Sequence, residues 1–149
     1  MANLVYNKGL EELGKALTDL DASDLRMLLV QSTYTANKDH LTVDDGTAND
    51  PASHEVSVSG YGRQALANKV VTRDDTNDFA YLDADDVVFV TLATGQTVGG
   101  AVLFRHTGAD GTAVLIGFYD LADTPTNGGN ITVQFNTPAN GGALKLESL

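Results

Sequence analysis

The 149-residue chain contains no cysteine, no tryptophan, only three prolines, and nine basic residues against twenty acidic ones. Without cysteine there is neither a disulfide framework nor a thiolate metal site. A formal charge of −11 repels phosphate backbones, so nucleic acid is not an expected partner. The longest apolar stretches, such as Val87 to Val90, fall far short of the ~20 residues of a membrane helix, and no membrane partner is expected. The first eight residues, Met1 to Lys8, show no basic segment followed by an apolar run and a small-residue cleavage site, so no secretory signal is read there. Scarce aromatics leave little surface for stacking on sugars.

What is present suits one domain over residues 1–149, a length that buries roughly 70% of the unfolded surface without crosslinks or metal. Leu10, Leu13, Leu17 and Leu20 recur at spacings of three and four while Glu11, Glu12, Lys15 and Asp19 fall between them. This pattern predicts an amphipathic helix over residues 7–20, with Asn7 as its cap and Asp21 to Asp24 as its polar stop.

From Leu25 onward the period changes, and residues 25–149 read as a β domain. Short apolar or alternating runs occupy Leu25 to Gln31, Glu55 to Ser59, Leu66 to Thr72, Phe79 to Leu82, Val87 to Leu92, Ala101 to His106, Ala113 to Tyr119, Ile131 to Phe135 and Ala143 to Leu146. The fold class that follows is mainly β, an antiparallel β-sandwich or barrel-like domain of about eight or nine strands with one short N-terminal α-helix. Glycine-bearing turns at Thr94-Gly95-Gln96, Gly108 to Gly111, Asn127 to Asn130 and Asn140 to Gly142 predict local hairpins, the last two turns bringing the two C-terminal strands within reach of one another. Residues 32–54 form a polar stretch longer than the ~12–15 residues of ordinary connections, and long loops often carry function.

The residues that could carry chemistry do not assemble into a known pattern. His40, His54 and His106 lack the spacing that places two imidazoles on one metal. There is no Gly-x-Ser-x-Gly elbow, and Val98-Gly99-Gly100-Ala101 lacks the lysine and hydroxyl residue of a phosphate loop. Asp74 to Asp78 and Asp83 to Asp86 offer hard oxygen atoms, but Phe79 and Ala80 stand where an EF-hand loop begun at Asp75 needs a ligand and a glycine. Aspartates in such clusters terminate strands and accept hydrogen bonds in turns. No catalytic residue, metal or cofactor is therefore assigned, and the protein is expected not to be an enzyme. The candidate partner contacts are Leu10, Leu13 and Leu17 on the helix and Tyr34, His40, Asp44 and Asp45 in the long loop.

The order of segments resembles a group of small proteins encoded among the virion structural genes of tailed bacteriophages. The similarity spans nearly the whole chain: a short helix, the strand Leu25 to Val30, Ser32-Thr33-Tyr34-Thr35 and a long polar loop. Glu55-Val56-Ser57-Val58-Ser59-Gly60-Tyr61-Gly62 then precedes Ala65 to Thr72 and Asp83-Ala84-Asp85-Asp86-Val87, and the ending runs through Ala101 to Phe104, Leu115 to Asp120 and Gly128 to Phe135. Two departures are that Val88 and Phe89 stand where the family often has an aromatic soon after the Asp-Asp pair, and that the glycine stretch at Tyr61-Gly62 is shorter. The resemblance implies a capsid decoration or cement protein, made in the cytoplasm of a bacterial host and carried on the capsid surface of the virion. It implies the major capsid protein as partner and a homotrimer as the oligomer. Other readings are a tail, collar or head-tail component, and, from another class, a free carbohydrate-binding or adhesin-like domain using aromatics such as Tyr34, Tyr61 or Tyr81.

Overall fold

The run Leu25-Arg26-Met27-Leu28-Leu29-Val30 is too continuously apolar for a strand with one wet face, and the computed structural model, which describes residues 1–147, buries it on both sides. In chain order the elements are β1 (Leu4–Val5), α1 (Asn7–Gly14), β2 (Leu25–Gln31), β3 (Gln64–Ala65), β4 (Val70–Asp74), β5 (Phe79–Asp83), β6 (Val87–Phe89), β7 (Thr97–Arg105), β8 (Leu115–Pro125), β9 (Ile131–Val133) and β10 (Leu144–Glu147). Single 3₁₀ turns lie at Ala52–His54, Asp110–Thr112 and Pro138–Asn140.

The strands form a five-stranded sheet in the order β1-β8-β7-β2-β3, a three-stranded sheet β10-β5-β4 and a two-stranded sheet β6-β9, all antiparallel. The fold is mainly β, as the strand pattern predicts. Among the described residues the sheets are open, so the barrel alternative does not hold. Period-two alternation explains the layering. Leu25, Met27, Leu29, Ala101 and Leu103 point to one core, which Leu82, Leu144, Val87, Phe89 and Val133 of the two small sheets complete. Leu28, Val30, Val102, Phe104, Leu115 and Phe118 point to a second core on the other face. An irregularity opposite Leu103 and Phe104 inserts Ile116 as an extra residue in β8 and turns its side chain into the first core.

The second core is covered by the stretch read from sequence as a long loop. Tyr34 and Val43 are buried in it, Ala36 and Ala52 pack against it, and Thr42 makes an isolated bridge to Val114. Residues 32–54 thus form a third layer whose backbone is tied to the sheet, for example by Val43 N–H to Ala113 O at 3.0 Å.

Five sequence expectations are corrected. The helix ends at Gly14 instead of reaching residue 20, because Gly14 is followed closely by Ala16 at φ 54°, a left-handed conformation no helix continues through. Its cap is Tyr6, not Asn7, and its buried residues are Gly9 and Glu12. Glu55 to Ser59 is not a strand: Glu55 bridges Val30 and Val56 N–H reaches Leu29 O, after which pairing stops. The predicted run 66–72 splits, with β3 ending before it and β4 starting at Val70, separated by Asn68 at φ 52°. The turns at 94–96, 127–130 and 140–142 are crossings between sheets, since β6 pairs with β9 and not with β7, β8 pairs with β1 and β7 and not with β9, and β10 pairs with β5 and not with β9. The Gly108–Gly111 turn does join a hairpin, β7 to β8.

Gly9 explains how so short a helix is held. A Cβ there would lie 2.7 Å from Leu115 O and 2.9 Å from Ile116 Cα, so α1 sits directly on the backbone of β8. Gly9→Ala is expected to force the helix outward and cost about 1–3 kcal/mol, read as a lower urea midpoint with unchanged slope.

Candidate functional site

The candidate contacts divide sharply by burial. Leu10 on the helix and Leu17 beyond its end are exposed at 51% and 58%, whereas Leu13 on the helix is partly buried against the first core. The leucine stripe is therefore split, with Leu13 and Leu20 toward the first core and Leu10 and Leu17 outside, while Gly9 and Glu12 are the buried residues of the helix itself. Glu12 is 5% exposed and is neutralised by Arg105 Nη2 at 2.8 Å, with the Thr18 hydroxyl donating to the same Oε2 at 3.0 Å.

In the long segment, Tyr34 and His40 lie inside. Tyr6 and Tyr34 hydroxyls share a hydrogen bond of 2.9 Å, and Tyr34 Oη lies 2.9 Å from His40 Nδ1. Burial pushes the Tyr34 phenol up to about 12 and the Tyr6 phenol still further, so both stay neutral hydrogen-bonding groups. Asp44 is exposed and Asp45 half-buried, and each carboxylate accepts a backbone N–H two residues ahead, from Gly46 and Thr47. Those are turn-forming roles.

The other acidic residues behave similarly. Asp74 accepts from Thr76 N–H, Asn77 N–H and Asn77 Nδ2, which holds its carboxyl below the usual carboxylate range. Asp85 accepts from Asn68 Nδ2 and Asp86 from Phe135 N–H. Among the described residues no group of three histidine or carboxylate side chains is placed to hold a metal ion. None of their helices is long and apolar enough to cross a membrane.

The densest ionic cluster centres on Arg63. It is bidentate to Glu55 (2.6 and 2.8 Å) and bidentate to Asp110 (2.6 and 2.8 Å), and its guanidinium carbon lies 5.4 Å from the Phe104 ring centroid. The Tyr61 hydroxyl donates to Glu55 Oε1 at 2.7 Å and accepts the Leu29 N–H at 3.1 Å. This cluster ties the segment after the third layer to the β7–β8 turn. It also uses up Tyr61, whose ring stacks on Phe89, and with Tyr34 buried two of the three aromatics named for sugar stacking are committed to the interior.

Two unpartnered surfaces among the described residues combine a free strand edge with apolar side chains suited to a partner. The first is the β4–β5 hairpin. β4 is bonded only to β5, four of its five residues are exposed, and Val70 and Val71 show 46% and 37% exposure on opposite faces. The second is a groove of about 460 Å³ between β1 and β10, with Leu10 on its rim and Tyr119 and Phe135 among its lining residues. These two rings lie 5.5 Å apart, and the Tyr119 hydroxyl donates to Ala143 O at 2.5 Å. Of the candidate contacts only Leu10 reaches this groove. No local pattern marks the rest, because β1 meets Gly117 and Phe118 across more than a hundred residues of chain.

Compared with protein-family models, curated proteins and solved structures, the chain finds no match.

Proposed function

We propose that the protein is a structural component of a tailed-phage virion, a capsid decoration protein that binds the outer shell lattice and stabilises it. The observation that carries this reading is the β4–β5 hairpin, where Val70 and Val71 leave one exposed valine on each face of a strand whose outer edge is unpaired among the described residues, in a chain of charge −11. Exposed strand edges bearing apolar side chains are attachment elements unless they are charged or covered. Here Arg73 and Asp74 limit self-association of the edge while Val70 and Val71 stay available. The segment order from Leu25 to Phe135 and its resemblance to phage virion proteins supply the partner, the major capsid protein.

The mechanism is mass action. A protein that binds only the assembled lattice stabilises that state by about 2.7 kcal/mol per site at a free concentration of 100 Kd. Strong acidity keeps the free protein soluble before assembly. Arg63 with Glu55 and Asp110, and Glu12 with Arg105, are ion pairs that tie segments of the fold together.

Cryo-electron microscopy of particles carrying this chain, with copies counted against the major shell protein, is the test. Hundreds of copies outside the shell are expected. A dozen or fewer at one vertex would reassign the chain to the tail or head-tail machinery. The double change Val70→Glu and Val71→Glu is expected to leave the isolated protein's stability within about 1 kcal/mol and to abolish its retention on shells during sedimentation.

A further inference from the structure

The groove between β1 and β10 is bordered by two free strand edges, since β1 ends the five-stranded sheet and β10 ends the three-stranded one. The Tyr6 N–H donates to Ile116 O at 3.0 Å, so Tyr6 faces β8. In an antiparallel pair successive residues alternate in direction, which turns the N–H and C=O of Val5 away from β8 and toward the groove. Apolar groups of Leu10, Tyr119 and Phe135 lie beside that edge.

The charge at this place is the reverse of the rest of the molecule. Among the described residues Lys38 and Lys145 are the only charged ones lining the groove, and none of those residues brings a carboxylate to it, in a chain with twenty acidic residues. Lys145 is engaged with Glu147 at 3.0 Å and lies 4.5 Å from the Phe79 ring centroid. The Lys38 side chain has no acidic partner among the described residues.

From this combination we infer that the groove takes an extended segment of a partner polypeptide, added as a strand to the free edge of β1, with apolar side chains facing Tyr119 and Phe135 and a carboxylate facing Lys38. Strand addition derives affinity from main-chain hydrogen bonds and specificity from the pockets that receive alternate side chains. The free Val5 groups supply the first, and the aromatic lining with Lys38 supplies the second. An acidic segment is repelled by most of this protein's surface, so a groove whose described lining carries two lysines and no carboxylate also selects where it docks. The inference rests on the groove alone and stands apart from the virion reading.

The test is residue-resolved NMR of the full ¹⁵N-labelled chain titrated with two eight-residue peptides, one alternating valine with glutamate and the other valine with lysine. The glutamate peptide is expected to protect the Val5 amide from exchange, to shift the amides of Leu4, Leu144 and Lys145, and to bind about fivefold tighter than the lysine peptide, the scale of one exposed charge pair. Lys38→Glu, a surface change, is expected to reverse that preference, and Leu10→Glu to weaken both peptides. Absence of binding at millimolar peptide, protection confined to β4, or equal affinity of the two peptides for the Lys38→Glu protein would overturn the inference. So would concentration-dependent protection of Val5 without peptide, which would give the groove to a second copy of the chain.

Discussion

Replacing Tyr34 with alanine is expected to destabilise the protein by about 3–5 kcal/mol, the cost of removing a large buried ring and leaving its cavity. The residue is only 4% exposed, packs among His40, His54 and Phe118 at ring separations of 5.8 Å, and holds hydrogen bonds to Tyr6 and His40. Tyr34→Phe keeps the ring and loses only the hydroxyl, so it should cost about 1–2 kcal/mol by leaving buried partners short of a bond. Chemical denaturation of the three proteins measures both. An unchanged midpoint for the alanine variant would mean that residues 32–54 do not cover the sheet in solution.

Arg63→Met is the second large effect, expected at about 2 kcal/mol because it strips two carboxylates of a shared bidentate partner at partly buried positions. Its pH dependence has a definite sign. The Arg63 guanidinium holds the Asp110 carboxyl below its ordinary value of 3.8, so the stabilisation is complete above that value and is lost as pH falls through the lower folded value. The difference in stability between wild type and Arg63→Met should therefore be constant near neutrality and shrink below about pH 4. A gap that stays constant down to pH 2 would show that the pair contributes through packing on Phe104 and not through charge. Raising the salt concentration should narrow the gap only slightly, because the Glu55 side chain is only 16% exposed.

Much of the architecture was legible in particular residues. Leu25 to Gln31 reads as a central strand because its apolar run is unbroken, and it is the strand covered on both faces. Phe79 to Leu82 likewise falls within a strand, while the runs Val87 to Leu92 and Ile131 to Phe135 hold shorter strands that end at Phe89 and Val133. The helix shows how periodicity misleads. Leu10, Leu13, Leu17 and Leu20 match a 3.6-residue repeat, yet the backbone turns left-handed at Ala16, and Leu20 reaches the first core from a turn. The useful signal was Gly9, whose missing Cβ allows contact with β8, but a glycine beside a lysine carries no such meaning without the partner backbone.

The candidate surfaces were less legible for a related reason. Tyr34 and His40 sit in a polar stretch with the look of a solvent loop, and only their hydrogen bonds to Tyr6 and to each other reveal them as interior. Turn residues between 94 and 96 have hairpin chemistry, yet the strands on either side join different sheets, since pairing is decided by long-range burial and not by the turn. Groove and hairpin arm emerge only once strand order is known.

The pairing of β2 with β7 also sets a schedule for synthesis. Leu29 lies opposite Ala101, about 70 residues further along the chain, and β1 must wait longer still for β8. At the ~5–20 residues per second of translation, the apolar run Leu25 to Val30 leaves the ribosome several seconds before its neighbour exists. Local hairpins such as β4–β5 close in that interval, while the central sheet cannot. Nascent chains of this protein thus pass through a window in which their most aggregation-prone segment is uncovered, and holdase capacity in the producing cell, more than final stability, is expected to limit the yield of folded protein.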